Sequence, residues 1–407
     1  MRHTLIIGAG ASGMAAAIAA AEKGEHVTVI DRNRKPMKKL AVTGNGRGNL
    51  LNCGTPDFYG DRDFGMDVLR HMPYEKAAAF LEDAGIPLVH EDEGRMYPAS
   101  FLAASAVDAL KLKAQRLGVV IVPNTRAQRI TREKNGFWLQ CVRAVYAEDT
   151  VLKSGRVKPG VLMGEEHVDY RADRVIVCAG GAAAPVHGTD GTAYPLLTAL
   201  GHKLIAPRPA LCALLTEKKP LEGLSGQRVR ATLHLNGRES AGEALFAEDG
   251  VSGIAAMQLS RDANAGDVLH MDLRMAVTGR ADTDVFSWLK ARAERMGESL
   301  LTGAVSPQLS QALWRRCGHR PSVSDEALRA LAQVIADFAL RVEGTRGFDS
   351  AQVTAGGIDC ADFDPSTMQS RLCPGLYAAG EVLNVDGGCG GHNLLFAFAS
   401  GLLAGQC

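Results

Sequence analysis

Nothing in the 407-residue chain constrains its fold more than Thr4–Gly13, which reads TLIIGAGASG. A short apolar run, Leu5 to Ile7, feeds a glycine turn at Gly8 and Gly10. Gly13 and the Ala-rich stretch Met14–Ala21 then allow a helix to lie close against a sheet. Thr28–Asp31 supplies a second strand ending in an acid, about 20 residues on, where a carboxylate reaches a ribose hydroxyl. Strand, glycines, helix, strand and acid in this order specify a βαβ nucleotide-binding unit. Its helix N-terminus offers N–H groups and partial positive charge to a pyrophosphate. Arg2-His3 ahead of an apolar run resembles a secretory leader. That run ends at Glu22-Lys23-Gly24 and passes straight into the second strand, so it is expected to belong to the fold.

The chain is too long for one simple core, and two or three domains, or one with an insertion, are expected. The 45 basic and 45 acidic residues balance, leaving no global field to attract nucleic acid or an anionic membrane. A small molecule is the expected partner, with the oligomeric state left open. No apolar stretch reaches the roughly 18 residues of a membrane-spanning helix. The nine cysteines contain no C-x-x-C, which argues against a disulfide framework, a zinc site or a redox dithiol, and for the cytoplasm.

After Asp31 comes a basic segment, Arg32 to Lys39, and then a loop, Thr43 to Asn52, with three glycines among Asn and Arg side chains. Such a loop can bring backbone N–H groups and a guanidinium against a ligand. Spacing predicts helices over 74–86 and 101–117, with a turn at Gly94–Pro98 between them. Val119–Val122 reads as a buried third parallel strand, and 125–142 as a hairpin turning at Asn135-Gly136. Residues 143–166 read as an extended hairpin or loop, and Arg174–Cys178 as a buried strand ending in Ala179, Gly180 and Gly181. Beyond it, 229–235 and 268–273 are strand-like around a loop at 248–253. Residues 282–296 and 325–340 are amphipathic helices capped at Asp282 and Ser324. The last sixty residues return to glycine: Val353–Gly357, a strand-like Leu376–Ala379 ending at Gly380-Glu381, and the run Gly387–Gly391 leading into a helix over 394–404. The expected fold class is α/β, a Rossmann-type domain whose parallel sheet carries an antiparallel meander, split by an insertion. Its parts are 1–191, a β-rich insert over 192–275, a helical portion over 276–344, and a second part over 345–407.

Taken together, these motifs resemble the bacterial BaiN/YhiN-type FAD-dependent oxidoreductases, a family that includes reductases of dehydro-bile acids. The resemblance runs nearly the whole length and is most specific in Val353–Gly357, Gly375–Glu381 and Gly390–Leu394. It departs at Gly48, Leu51 and His392, where the family has Cys, Thr and Tyr. The resemblance implies FAD as cofactor. The expected contacts are Gly8, Gly10, Ala11, Ser12 and Gly13 at the first turn, with Asp31, Arg32 and Lys39 after the second strand. Thr43, Gly44, Asn45, Arg47 and Asn49 would contribute from the loop, and Ala179 and Gly180 from the fourth strand's end. Gly380, Glu381, Gly391, Asn393 and Leu394 would close the site.

Flavin N5 carries the hydride, so the protein need only bind, orient and tune. The expected reaction is reduction of an activated C=C bond in a hydrophobic substrate such as an enone or dehydro-bile acid, with NADH or NADPH as transient donor. His392 is the first candidate for proton donor or carbonyl-polarising group and Tyr97 the second, with Arg95 as an anion or carbonyl contact. Cys389, in the same glycine run, could be reactive. Competing readings are an amine or alcohol oxidase, a tRNA-modifying flavoprotein, and a non-enzymatic flavin-binding module.

Overall fold

The computed structural model describes residues 1–151 and 157–407, so part of the stretch expected as a hairpin or loop over 143–166 lies outside the described residues. Two compact units divide the chain, one comprising Met1–Arg208 and Val353–Cys407, the other Pro209–Gln352.

The first unit is built on five parallel strands, in the order 376–378, 174–177, 3–7, 26–30 and 120–122. The inner strands are almost continuously buried because a parallel sheet is covered on both faces. The strand at Val120–Val122 is parallel but not buried. It forms the sheet's edge, and Val120 is 46% exposed. The opening helix, Ala11–Glu22, is buried from Ala11 to Ala20, which its small side chains make possible. Against it lies the closing helix, His392–Gln406. A Cβ on Gly401 would sit 2.3 Å from the Ser12 carbonyl oxygen, and one on Gly405 2.4 Å from that of Ala16, so the two backbones are in direct contact.

Those pairings, 401 with 12 and 405 with 16, make the two helices parallel. Buried Arg174 holds the far end. Its guanidinium donates to the carbonyls of Ala404, Gly405 and Cys407, and to Thr4 Oγ1 and Glu25 Oε2 at the sheet's amino edge. A cation there also complements the closing helix's dipole. Both helix N-termini therefore face the carboxyl edge of the sheet, the side on which open α/β sheets bind nucleotides.

Around this frame, 125–133, 136–146 and 162–172 form the antiparallel meander, and helices run over Tyr74–Asp83 and Ala103–Arg116. A further helix, Arg62–His71, was not expected. Nor is Gly94–Pro98 a turn: Arg95–Pro98 is the middle strand of a small sheet between 51–52 and 88–90. The reversal lies just before it, with Glu93 and Gly94 both left-handed at φ +60° and +72°. Gly and Pro bracket this strand, and that bracketing imitated a turn.

The second unit is a closed six-stranded barrel of 214–216, 250–252, 238–247, 228–235, 268–272 and 338–345. Its last strand follows the helices Val285–Met296, Pro307–Arg316 and Asp325–Ala336, so closure joins segments the sequence separates widely. Residues 338–340, expected to end a helix, begin that strand. Part of the expected loop at 248–253 is likewise a strand. The cap of 285–296 is Asp284, not Asp282, whereas Ser324 caps 325–336 as its position suggests. Phe246 and Phe338 meet edge to face inside the barrel, with Leu289, Leu313 and Leu331 from the helices in the same core.

Candidate cofactor site

The three glycines of the first turn do different work. Gly8 has φ +99°, and a Cβ there would lie 2.4 Å from the Cys178 carbonyl oxygen; one on Gly13 would lie 1.8 Å from that of Gly8. Both are demanded by packing. Gly10 has ordinary extended angles and nothing within 4 Å of where its Cβ would be. It is the N-cap of the opening helix, and no packing reason for glycine is present. Open space in front of unpaired helix N–H groups, lined by Ala11 and Ser12, is what a pyrophosphate requires.

Asp31 is 7% exposed at the end of the second strand. Its Oδ2 accepts from the Ala9 N–H and its Oδ1 from the Asn33 N–H, both at 2.7 Å, which leaves further lone pairs for a diol. Burial pushes its pKa up, and those hydrogen bonds only partly offset it. Neighbouring Arg32 turns away to Asp190 (2.5 Å) and Thr192.

Further along the same edge, Lys39 pairs with Glu381 at 2.6 Å. Glu381 Oε1 accepts from the Thr354 N–H, and Thr354 Oγ1 accepts from Ala182 and Ala183. This laces the half-buried Ala179–Gly181 turn to the Gly380-Glu381 turn. Gly380 itself donates to Ser400, and a Cβ on it would strike Ser12 Oγ.

The far end is the glycine run. The Asn393 side chain accepts from the Gly387 N–H and donates to the Gly387 carbonyl, so it folds the run and is not free for a ligand. Gly391, at φ +103°, caps the closing helix, and a Cβ there would meet the Leu51 carbonyl at 2.4 Å. His392 follows, 8% exposed, with Leu394 half-buried on the same turn. The His392 Nδ1 is buried without a hydrogen-bond partner, as is Asn49 Oδ1. Burial lowers the His392 pKa, opposed by Asp57, which favours the neutral imidazole. Cys389 is pushed the other way, upward, again chiefly by burial.

In the loop, Thr43 donates to the Leu40 carbonyl, while Gly44 and Asn45 are left-handed. A Cβ on Gly48 would come within 3.0 Å of the Ala103 Cα, which accounts for glycine there. Arg47 is engaged within the loop's own surroundings. Its guanidinium lies over the rings of Tyr97 (4.7 Å) and Phe101 (4.8 Å) and pairs with Glu91 at 2.9 Å. Tyr97, 7% exposed, thus supports the loop from beneath.

Sequence reasoning missed Thr354, visible only as the polar member of an apolar-glycine run. It also missed Asn52, whose Nδ2 ties the Gly390 carbonyl (2.8 Å) to that of Glu93 (3.1 Å). One constellation imitates chemistry it does not perform. Ser370 Oγ lies 3.0 Å from His202 Nε2, with Asp362 3.9 Å from Nδ1. Ser370 is 2% exposed and its Oγ accepts from Leu372 and Cys373, so it is a lock, not a nucleophile. Among the described residues no cluster could hold a metal, and no helix is long and apolar enough to cross a membrane.

A parallel sheet, a glycine turn left open at Gly10, a buried acid ending the second strand and a second helix N-terminus at the same edge fit FAD. Fold and site define a Rossmann-type FAD-binding oxidoreductase. The chain belongs to the HI0933-like protein Rossmann domain family, whose model matches residues 2–162 and 158–407. It is 32% identical to a 3-dehydro-bile acid delta(4,6)-reductase of Clostridium scindens, covering 100% of this chain and 98% of that protein. To a ribosomal RNA dihydrouridine synthase of Escherichia coli it is 25% identical, over 99% and 96%. The fold is shared with 3-ketosteroid-delta4-(5alpha)-dehydrogenase from Rhodococcus jostii RHA1, at TM-score 0.50 and 17% identity, over 100% of this chain and 96% of that one.

Proposed function

We propose that this protein uses NADH or NADPH to reduce a C=C bond conjugated to a carbonyl, in a hydrophobic small molecule such as a dehydro-bile acid or another enone. The observation that carries it is the end-to-end likeness to a reductase named for such a bond. When bound, FAD would supply the hydride. Gly10 with Ala11 and Ser12 would hold the pyrophosphate, and Asp31 the ribose. Lys39, Glu381 and Thr354 would brace the turns between. Neutral His392 at the closing helix's N-terminus suits a carbonyl-polarising hydrogen-bond donor better than a strong acid. The helix N-terminus favours negative charge as it develops nearby.

A second reading keeps the chemistry and changes the substrate, because the synthase relatives also act, by name, to saturate a ring C=C bond. The balanced charge of the chain favours the small molecule. Anaerobic holoprotein is mixed with each nicotinamide in turn, and then with a panel of enones or with ribosomal RNA lacking dihydrouridine. Bleaching of the flavin by one nicotinamide and recovery on adding an enone is the expected result. Recovery with RNA alone moves the substrate to nucleic acid. Fast recovery in air with no nicotinamide consumed replaces the reductase with an oxidase.

A further inference from the structure

Beside the laced turns lies a buried polar group that the protein itself does not satisfy. Tyr194 is 3% exposed, and its hydroxyl has no hydrogen-bond partner. Two glycines put it there. Gly191, at φ +77°, donates to the Gly181 carbonyl at 3.0 Å, and the Tyr194 N–H donates to the Gly191 carbonyl at 3.2 Å. A Cβ on Gly191 would lie 3.4 Å from the Tyr194 ring, and one on Gly181 would lie 2.4 Å from Thr354 Oγ1 and 2.9 Å from Glu381 Oε1. The phenol therefore stands behind the wall that Thr354 and Glu381 build between the two turns. That wall can be reached by a ligand, since Lys39 and Glu381 keep 25% and 19% of their side chains exposed.

Burial pushes the Tyr194 pKa up, the Glu381 carboxylate pushes it further, and Thr354 opposes them in part, so the phenol keeps its proton. The neighbouring acceptors are engaged elsewhere. Thr354 Oγ1 accepts from the Ala182 N–H at 2.8 Å and the Ala183 N–H at 2.9 Å, which fills its two lone pairs. Glu381 accepts from the Thr354 N–H through Oε1 and from Lys39 through Oε2. A buried O–H calls for an acceptor, and the remaining source of one is a ligand atom.

The surroundings select that atom. A phosphate offers acceptors alone and would be repelled by the Glu381 carboxylate. A neutral hydroxyl accepts one hydrogen bond and donates another, which matches a phenol O–H beside a carboxylate with lone pairs to spare.

We propose that Tyr194 is a cofactor-binding residue that donates to a hydroxyl of the polyol chain of FAD, whose own proton goes to Glu381. This rests on FAD as the cofactor and is independent of the substrate and of the electron donor.

Apoprotein is titrated with FAD by flavin fluorescence and with ADP by calorimetry, and its urea unfolding is followed alongside. Tyr194→Phe deletes the hydroxyl and keeps the ring. It should weaken FAD roughly 2- to 12-fold, the worth of one neutral hydrogen bond, and leave ADP, which lacks the polyol, at its native affinity. The urea midpoint of the apoprotein should hold or rise, because an unpartnered polar atom leaves the interior. Combined with Glu381→Gln, the substitution should weaken FAD by less than the two effects together, since both residues serve one hydroxyl. Native FAD affinity in Tyr194→Phe overturns the proposal, as does a lower apoprotein midpoint, which would mean that the hydroxyl is bonded within the protein. Equal weakening of ADP and FAD overturns the polyol as partner, and strict additivity overturns the shared hydroxyl. Failure of the native apoprotein to bind FAD would instead refute the cofactor reading itself.

Discussion

Gly10→Ala separates ligand binding from folding more cleanly than any other substitution at this site. The alanine Cβ meets no protein atom within 4 Å, and Gly10 already has φ −83° and ψ −167°, angles open to any residue. Losing glycine at an N-cap costs the helix up to about 1 kcal/mol, and the reduced entropy of the unfolded chain returns about 0.4–1 kcal/mol. The apoprotein should therefore unfold within about 1 kcal/mol of the native one. The pyrophosphate would meet a methyl group where backbone now lets it approach. Loss of one charge-assisted hydrogen bond is worth about 1.5–3 kcal/mol, or a roughly 10- to 150-fold weaker FAD Kd. The assay is titration of apoprotein with FAD by flavin fluorescence, beside urea unfolding of the same apoprotein. Gly13→Ala is the contrast, since its Cβ would lie 1.8 Å from a backbone oxygen and should cost the fold itself. FAD binding by Gly10→Ala at the native affinity, or its loss together with apoprotein stability, would refute the assignment of this turn to the pyrophosphate.

Three further outcomes follow from the packing. Gly401→Val should destabilise the first unit by about 3 kcal/mol or more, because its Cβ meets Ser12 backbone at 2.3 Å; circular dichroism during urea unfolding reads it. Arg174→Met should cost about 3–5 kcal/mol, because it removes the buried cation from Glu25 and the helix-end carbonyls and leaves Glu25 only the exposed Arg2 as counter-charge; the same unfolding measurement checks it. Burial lowers the pKa of His187, His202 and His392 below 6.5, so the unfolded chain takes up protons first as pH falls. The stability they contribute is full above pH 6.5 and is lost below it, down to their folded values, so the urea midpoint should fall between pH ~7.5 and ~5.5. Asp31 acts with the opposite sign and in a more acidic range, since its folded pKa is raised from 3.8.

Much of the first unit was legible because its signals are local. Strand, turn, helix and acid follow one another within Thr4–Asp31, and the hairpin turn at Asn135-Gly136 and the Ser324 cap likewise depend on a few neighbouring residues. Where one local signal imitated another, the reading failed. Gly94 and Pro98 bracket a strand as they would a turn, and Val119–Val122 is as apolar as a central strand although it lies at the edge. The barrel's closure was out of reach, because 338–345 pairs with 214–216 and 268–272 across three helices.

The sequence by itself determined that the chain opens with a phosphate-binding βαβ unit and that its glycine-rich end starts a second helix. Strand, glycines, helix and acid follow one another at fixed short spacing, so local backbone chemistry alone specifies the unit. Only the tertiary structure decided which groups remain available to a ligand. Gly10 is open while Gly8 and Gly13 are packed, Arg47 lies over Tyr97 and Phe101 and pairs with Glu91, and the Asn393 side chain is held by its own turn. Availability depends on what distant segments bring within hydrogen-bond reach and on how deeply they bury it. Neither a residue's type nor its spacing along the chain contains that information.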